Sequence, residues 1–265
     1  MIGFVDFTIV NLTLFILVLV FDLGLSANKQ FKLNRVVLLV IPLISLITLL
    51  EFSITQIATN SALYSVTLPL IEVSEGVGQG TSFSLWWAYF TVGTIYFVWR
   101  IFGSFRLYFR GRLSETQPSK YACYTVKEFG NYSFFNRIFL LEEDLQNELI
   151  VKHEEVHIKQ KHTWDVLFSE LVIALLWINP MVWRLKILIR QNHEYLADQE
   201  LVLNSKQNTS EYIHLLLDRA LSTDHFSLGN YFSLNSLISK RIIMLNKTKT
   251  QKTWKTLTIT SVMVG

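Results

Sequence analysis

Three long apolar runs dominate the first 110 residues of the chain. They extend from Phe7 to Leu25, from Val36 to Ile57 and from Phe83 to Gly103. Each supplies close to the roughly 20 apolar residues that a helix needs to cross a bilayer. The pattern therefore predicts three transmembrane helices within residues 1–110. No basic residue precedes the first run and no clear small-residue cleavage site follows it, so we expect this run to stay in the mature chain rather than act as a signal peptide.

The charges between these runs predict their orientation. Basic residues follow the first and third runs, whereas the loop of residues 58–82 has no Lys or Arg. Because short basic loops stay on the cytoplasmic side, we expect the N-terminus to be outside and the chain after the third run to begin in the cytoplasm. The basic residues are Lys29, Lys32 and Arg35 in the first loop, and Arg100, Arg106, Arg110 and Arg112 after the third run.

The composition agrees with a membrane protein. Hydrophobic residues make up 51% of the chain and charged residues only 17%, which is too apolar for an ordinary soluble domain. The net charge of +3 comes from residues that flank apolar runs, so we predict no direct contact with nucleic acid. Glu51, near the outer end of the second run, either has a function at that depth or extends its carboxylate to the interface. The single cysteine, Cys123, excludes an internal disulfide.

Residues 111–250 have no Gly- or Pro-rich linker and no repeat, and we expect them to form one cytoplasmic domain. Residues 121–130, "YACYTVKEFG", combine strand-forming residues with a Gly-Asn turn signal, and such a strand is a candidate for binding an extended substrate. The acidic residues 142–144 suit the start of a helix. Residues 251–265 become apolar again and are interpreted as the start of a fourth transmembrane span, so the native chain is expected to continue.

The stretch "HEEVH" at residues 153–157 predicts a metal site on a helix. On a helix, His153 and His157 are about 40° apart around the axis and roughly 6 Å apart along it, so both imidazoles can reach one ion. Glu154 occupies the general-base position of the HExxH pattern. The alternative is an ordinary polar helix face, because charged residues surround the motif. They are Lys152, Glu155, Lys159 and Lys161.

A third ligand is predicted in "NHEYLADQE", residues 192–200. Glu194 would complete a His, His, Glu set, which is typical of catalytic Zn²⁺ sites. Asp198 would lie on the same helix face and accept a hydrogen bond from a ligand histidine. His193 is the alternative ligand, but on a helix it points about 100° away from Glu194.

The apolar stretch between the two motifs, residues 164–189, must reverse direction if both motifs bind one ion. Asn179-Pro180 predicts the break, because proline ends one helix and suits the first position of the next. The result is a helical hairpin, residues 164–192, in or against the inner face of the bilayer. A bend near residues 161–163, with Thr163 as a candidate cap, would let Glu194 meet the histidines. Asp165 is interpreted either as support for a histidine ligand or as an exposed carboxylate, and His162 as a surface residue.

With these motifs, the sequence resembles the BlaR/MecR-type membrane metallopeptidases, the signal-transducing antirepressor family of bacteria. The resemblance rests on "HEEVH", "INPMVWR", "NHEYLAD" and "SKRIIMLNK". It implies a mainly α, polytopic protein of the bacterial inner membrane with a cytoplasmic, gluzincin-like zinc metallopeptidase domain. It also implies His153, His157 and Glu194 as zinc ligands and Glu154 as the base. The implied substrates are the protein itself and a cytoplasmic repressor.

Two alternatives stay open beside a signalling endopeptidase. One is a housekeeping membrane zinc protease with the same motifs, and the other is a non-catalytic signalling subunit with a structural zinc. A structural site has four protein ligands, commonly including sulfur, and Cys123 is the only thiol. The sequence therefore favours a zinc metalloendopeptidase whose partners are the lipid bilayer and a peptide or protein substrate.

Overall fold

The computed structural model describes residues 4–26, 28–63, 85–114, 118–127, 130–204, 209–222 and 228–246, with the backbone alone for residues 49–63, 204, 209, 219–222 and 228–236. The predicted fourth span at 251–265 and the side chain of Glu51 lie outside this description. The prediction of a mainly α fold is confirmed. The helices are α1 (Phe4–Gly24), α2 (Phe31–Leu63), α3 (Leu85–Tyr108), α4 (Glu148–Lys159), α5 (His162–Leu176), α6 (Pro180–Asn204), α7 (Thr209–Ser222) and α8 (Leu228–Asn246), and the strands are β1 (Arg112–Leu113), β2 (Ala122–Val126), β3 (Tyr132–Phe134) and β4 (Arg137–Leu141).

Among the described residues, two N-terminal segments are long and apolar enough to cross a membrane. They are Val5–Gly24 in α1 and Phe31–Thr48 in α2. Helix α3 covers most of the predicted third span, but its Trp, Tyr and Arg residues lower its mean hydropathy, and it does not meet the same criterion. The first two predicted spans therefore have clearer support than the third.

Helices α1, α2, α5 and α6 pack around one apolar core. Its fully buried side chains include Leu14, Leu38, Ile41, Ile173 and Leu185. Because burying apolar side chains from four helices against one another fixes their relative positions, the hairpin of α5 and α6 is held against the N-terminal helices. The core thus connects the predicted membrane region to the helices that carry the two motifs.

The chain breaks at Asn179-Pro180, as the sequence predicts. Helix α5 ends at Leu176 and α6 begins at Pro180. The Asn179 side chain stabilises the break through two hydrogen bonds. Its Oδ1 accepts one from the Met181 N–H at 3.0 Å, and its Nδ2 donates one to the Asn11 carbonyl at 2.9 Å. The hairpin therefore forms, and its tip contacts α1.

The predicted bend before the hairpin also forms, but not through the residue expected to cap it. Lys161 adopts a left-handed conformation (φ 57°) between α4 and α5. Thr163 lies inside α5, and its hydroxyl accepts a hydrogen bond from the Phe135 N–H at 3.0 Å. The prediction of Thr163 as a cap was wrong because a distant loop engages its hydroxyl.

The four strands form one sheet in the order β1-β2-β4-β3. The predicted strand within residues 121–130 is β2, which pairs antiparallel with β1 and parallel with β4, while β3 pairs antiparallel with β4. Cys123, Ile138 and Leu140 on the sheet pack against Ile150 and Val151 of α4. The sheet therefore serves as the support on which the first motif helix rests.

The acidic residues 142–144 do not begin α4. They form a short 3-10 turn, and α4 starts after Asn147, whose side chain accepts hydrogen bonds from the Leu149 and Ile150 N–H groups at 3.2 and 3.3 Å. Asn is among the strongest N-cap residues, so the helix begins where this cap is available.

Gly93 allows α3 and α5 to approach closely. A Cβ at position 93 would lie 2.1 Å from the Ala174 carbonyl oxygen, whereas a Cβ at Gly103 would meet nothing within 4 Å. We therefore expect Gly93→Ala to force the helices apart and lower the free energy of unfolding by about 1–3 kcal/mol, while Gly103→Ala has little effect. Thermal unfolding in detergent measures this, and equal midpoints for the two variants would contradict the close packing.

Candidate metal centre

Helices α4 and α6 bring His153, His157 and Glu194 to one point. The Nε2 atoms of the two histidines are 3.2 Å apart. Glu194 Oε2 lies 3.4 Å from His153 Nε2, and Glu194 Oε1 lies 3.7 Å from His157 Nε2. Two ligands of a tetrahedral zinc ion, each about 2.0–2.1 Å from the metal, are roughly 3.3–3.4 Å apart. The spacing therefore fits the donor set of a single ion, and these three residues could hold a metal.

Tyr212 of α7 fixes the protonation of His153. Its hydroxyl donates to Asp198 Oδ1 at 2.7 Å and accepts from Arg241 Nη2 at 2.9 Å. Since the only donor of Tyr212 is used on Asp198, the 3.0 Å contact with His153 Nδ1 must have the histidine as donor. In its neutral, metal-binding form His153 thus carries its proton on Nδ1, which leaves the Nε2 lone pair facing the site.

Asp198 lies beside His153, as predicted, but Tyr212 takes the place of the expected direct hydrogen bond. Its Oδ1 is 3.5 Å from His153 Nδ1, so Tyr212 bridges the two side chains. Asp198 instead accepts two hydrogen bonds from Arg241, at 2.9 Å from Nε and 2.6 Å from Nη2. The carboxylate therefore acts on the histidine through Tyr212 and anchors α8.

Arg241 also contacts the carboxylate of the third candidate ligand. Its Nη1 lies 3.0 Å from Glu194 Oε2. Burial would raise the pKa of Glu194, but the Arg241 guanidinium and the imidazoles of His157 and His153 hold it well below its usual value. Glu194 is consequently an anion at neutral pH, which is the form that binds a cation.

His162 fixes the protonation of His157. Gln160 Nε2 donates to Glu200 Oε2 at 2.6 Å, which leaves Gln160 Oε1 as an acceptor for His162 Nε2 at 3.1 Å. His162 Nδ1 is then the acceptor for His157 Nδ1 at 2.7 Å. His157 therefore also presents the lone pair of Nε2 to the site. Burial lowers the pKa of His157 to about 3, so the ring is neutral, as metal binding requires.

His162 was expected at the surface, and this expectation was wrong. Its side chain is buried, and His193 stacks on it with ring centroids 3.9 Å apart and an interplanar angle of 7°. His193 Nε2 lies 2.7 Å from Asp165 Oδ2. His193, the alternative ligand, is thus engaged away from the cluster, and Asp165 is its buried partner rather than an exposed carboxylate.

Glu154 faces the same cavity as two of the candidate ligands. The cavity has a volume of about 260 Å³, and Glu154 lines it together with His153, Glu194 and Arg241. Burial raises the pKa of Glu154 to about 7, against the opposing effects of His153 and a hydrogen bond from Ser133. A cation held nearby would again favour the carboxylate. A carboxyl group with a pKa near 7, such as that of Glu154, can accept a proton and release it again near neutral pH.

Sequence reasoning missed Tyr212, Arg241 and His162. Tyr212 and Arg241 lie on helices whose apolar spacing is explained by packing, as in the cluster of Leu149, Leu201 and Leu216. A signal was present for one of them, because Arg241 stands three residues after Ile238 and four before Leu245, which places it on the apolar face of a helix. A cation in such a position commonly has a buried anionic partner.

Comparison with known families agrees with this geometry. Residues 140–245 match the family model described as BlaR1 peptidase M56. The match supports a BlaR1/MecR-type family, as the motifs indicate, and it extends over all the elements that build the cluster, from α4 to α8. A metallopeptidase of this type implies a metal ion, and the three-residue cluster fits one. No curated protein matches the chain.

Removing the Tyr212 hydroxyl should weaken metal binding. Tyr212→Phe leaves His153 Nδ1 without its acceptor, and we expect zinc affinity to fall by about 10–100-fold, as is usual when a ligand histidine loses its partner. Tyr89→Phe is a matched control, since that hydroxyl donates to the Leu175 carbonyl, away from the cluster. Competition with a chromophoric chelator measures the affinity. Equal affinities for both variants would show that Tyr212 does not orient His153.

Proposed function

We propose that this protein is a membrane-embedded zinc endopeptidase that cleaves itself, a cytoplasmic regulatory protein, or both, in transmembrane signalling. The observation that carries the proposal is the convergence of His153, His157 and Glu194, two of which, His153 and Glu194, line one cavity with Glu154. Three protein ligands leave the fourth position of a tetrahedral zinc ion to water, which distinguishes catalytic from structural sites.

The alternative of a structural zinc has no support among the described residues. The only thiol, Cys123, is buried on β2 among Ile138 and Leu140 and is not part of the His153, His157 and Glu194 group. His193, the nearest further histidine in the sequence to Glu194, pairs with Asp165. The described residues therefore provide no fourth protein ligand of the kind that completes a structural zinc site.

The proposed chemistry assigns proton transfer to Glu154. When bound, the zinc ion would lower the pKa of a water molecule and polarise a peptide carbonyl. Glu154 accepts a proton from the attacking water and returns it to the leaving amine. The Nδ1 hydrogen bonds of His153 and His157 keep both rings oriented during this cycle, so that the site does not have to reorganise.

A substrate strand would bind at β3 rather than at β2. Both edges of β2 are taken, by β1 and β4, which corrects the expectation that residues 121–130 bind the substrate. Strand β3 pairs with β4 alone among the described strands, and its Ser133 supplies the hydrogen bond to Glu154. An extended peptide added to the free edge of β3 would therefore pass beside the proposed base.

The proposed topology has three spans, an external N-terminus and a cytoplasmic active site in the bacterial inner membrane. The two apolar helices and the basic loops support it. One face of α3 adds support, because Trp87, Trp99 and Phe102 are between 66% and 71% exposed, which suits contact with lipid. The hairpin of residues 164–192 would enter the bilayer beside α1, because its tip contacts Asn11, which lies in the outer half of that helix in this topology.

Substituting the proposed base should abolish proteolysis without removing the metal. We expect Glu154→Gln in reconstituted membranes to lower self-cleavage and cleavage of an unfolded model protein by at least about 100-fold, because Gln cannot accept the proton. Glu155→Gln is the matched control, since Glu155 lies next in the same helix but accepts a hydrogen bond from Ser119. Gel analysis over time measures cleavage, and mass spectrometry measures bound zinc.

The expected pattern is that wild type and Glu155→Gln cleave at similar rates and that all three proteins hold similar amounts of zinc. Equal processing by Glu154→Gln and wild type would remove Glu154 from the mechanism. Loss of zinc from Glu154→Gln would instead mean that this carboxylate helps to hold the ion.

A further inference from the structure

Arg35 connects the second N-terminal helix to the bend beside the metal centre. Its Nε donates to Asp165 Oδ2 at 2.7 Å and its Nη2 to Asp165 Oδ1 at 3.1 Å, so the pair is bidentate. The same Nη2 donates to the Gln160 carbonyl at 2.8 Å, at the end of α4. Arg35 lies in α2, outside the segment that matches the peptidase family model.

A continuous set of contacts leads from Arg35 to a candidate zinc ligand. Asp165 binds His193, His193 stacks on His162, and His162 accepts the Nδ1 hydrogen bond of His157. The three intermediate side chains belong to residues that are 4–6% exposed, so water does not compete at these links. We therefore expect a displacement of Arg35 to shift these buried side chains in turn and so to change the position of His157.

We propose that Arg35 is a positioning residue of the metal centre, through which α2 sets the orientation of His157. The inference rests on the proposed function in one respect, namely that His157 binds zinc. A bidentate guanidinium–carboxylate pair fixes both distance and plane, which a single hydrogen bond does not. Through its hydrogen bond to the Gln160 carbonyl, Arg35 makes a second contact with the segment that carries His162.

The arrangement makes the metal centre conditional on the position of α2. A displacement of α2 along or away from the hairpin would part Arg35 from Asp165 and leave that buried carboxylate with His193 alone. Because a buried carboxylate that loses its cationic partner is destabilised, Asp165 and His193 would rearrange, and the stacked His162 with them. A movement of the proposed membrane helix would in this way reach His157.

The chain contains a matched pair that lacks this connection. Arg184 of α6 binds Asp22 of α1 in the same bidentate manner, with Nε–Oδ2 at 2.7 Å and Nη2–Oδ1 at 2.9 Å. It joins the same bundle of helices, but none of its contacts with the described residues leads to His153, His157 or Glu194. Loss of either pair should lower the stability of the fold, whereas only loss of Arg35 should lower the affinity for zinc.

The test compares Arg35→Gln, Arg35→Lys and Arg184→Gln in the full chain, purified in detergent. Zinc affinity is measured by competition with a chromophoric chelator, and thermal unfolding is measured beside it. We expect Arg35→Gln to bind zinc about 10–100-fold more weakly than wild type. Arg35→Lys should fall between them, because lysine keeps the charge but not the planar fork. Arg184→Gln should bind zinc like wild type.

Visible spectra of the Co²⁺-loaded proteins give a readout that lost stability alone would not move. We expect the ligand-field bands to shift in Arg35→Gln and to stay unchanged in Arg184→Gln. Adding His193→Gln to Arg35→Gln should weaken zinc binding less than the sum of the two single effects, since both act in one series of contacts.

Arg35→Gln with the zinc affinity and cobalt spectrum of Arg184→Gln would overturn the inference and leave the proposed function intact. A wild-type chain that binds no zinc would overturn both. If Arg35→Gln does not fold, Arg35→Lys decides the matter, because an unchanged spectrum and affinity in that folded variant would show that the fork does not position His157.

Discussion

The metal centre depends on where the protons of two imidazoles lie. Tyr212 accepts a hydrogen bond from Nδ1 of His153, and His162 accepts one from Nδ1 of His157, so both neutral rings direct the Nε2 lone pair toward Glu194. Each acceptor is itself fixed, Tyr212 by Asp198 and Arg241 and His162 by Gln160. Without these partners either ring could present the wrong nitrogen. The elements that bring the partners together, α7, α8 and the bend before α5, are therefore as much a part of the site as the motif helices.

Different elements of the fold hold different parts of this arrangement in place. The sheet supports α4, the Asn179-Pro180 break returns the chain as α6, and the core shared with α1 and α2 holds the hairpin in place. The peptidase family match covers the segment with the ligands, while Arg35 reaches that segment from outside it. A protease centre whose geometry includes a contact from an apolar N-terminal helix is suited to the proposed role in transmembrane signalling.

Local spacing was enough to predict part of this structure. The i, i+4 histidines, the Asn-Pro break and the strand within residues 121–130 follow from short-range geometry, and all three features are present. The partners of the site were not predictable in the same way, because Tyr212 meets His153 across 59 positions and Arg35 meets Asp165 across 130. His162 and Thr163 were misassigned for the same reason, since distant residues bury one and engage the hydroxyl of the other.

X-ray absorption at the zinc edge on the purified full chain tests the central claim most directly. The account predicts one zinc ion with two imidazole nitrogens and oxygen ligands at about 2.0–2.2 Å, and loss of the imidazole signal when His153 and His157 are both replaced by alanine. A sulfur ligand near 2.3 Å, four protein ligands, or an unchanged spectrum in the double variant would contradict it.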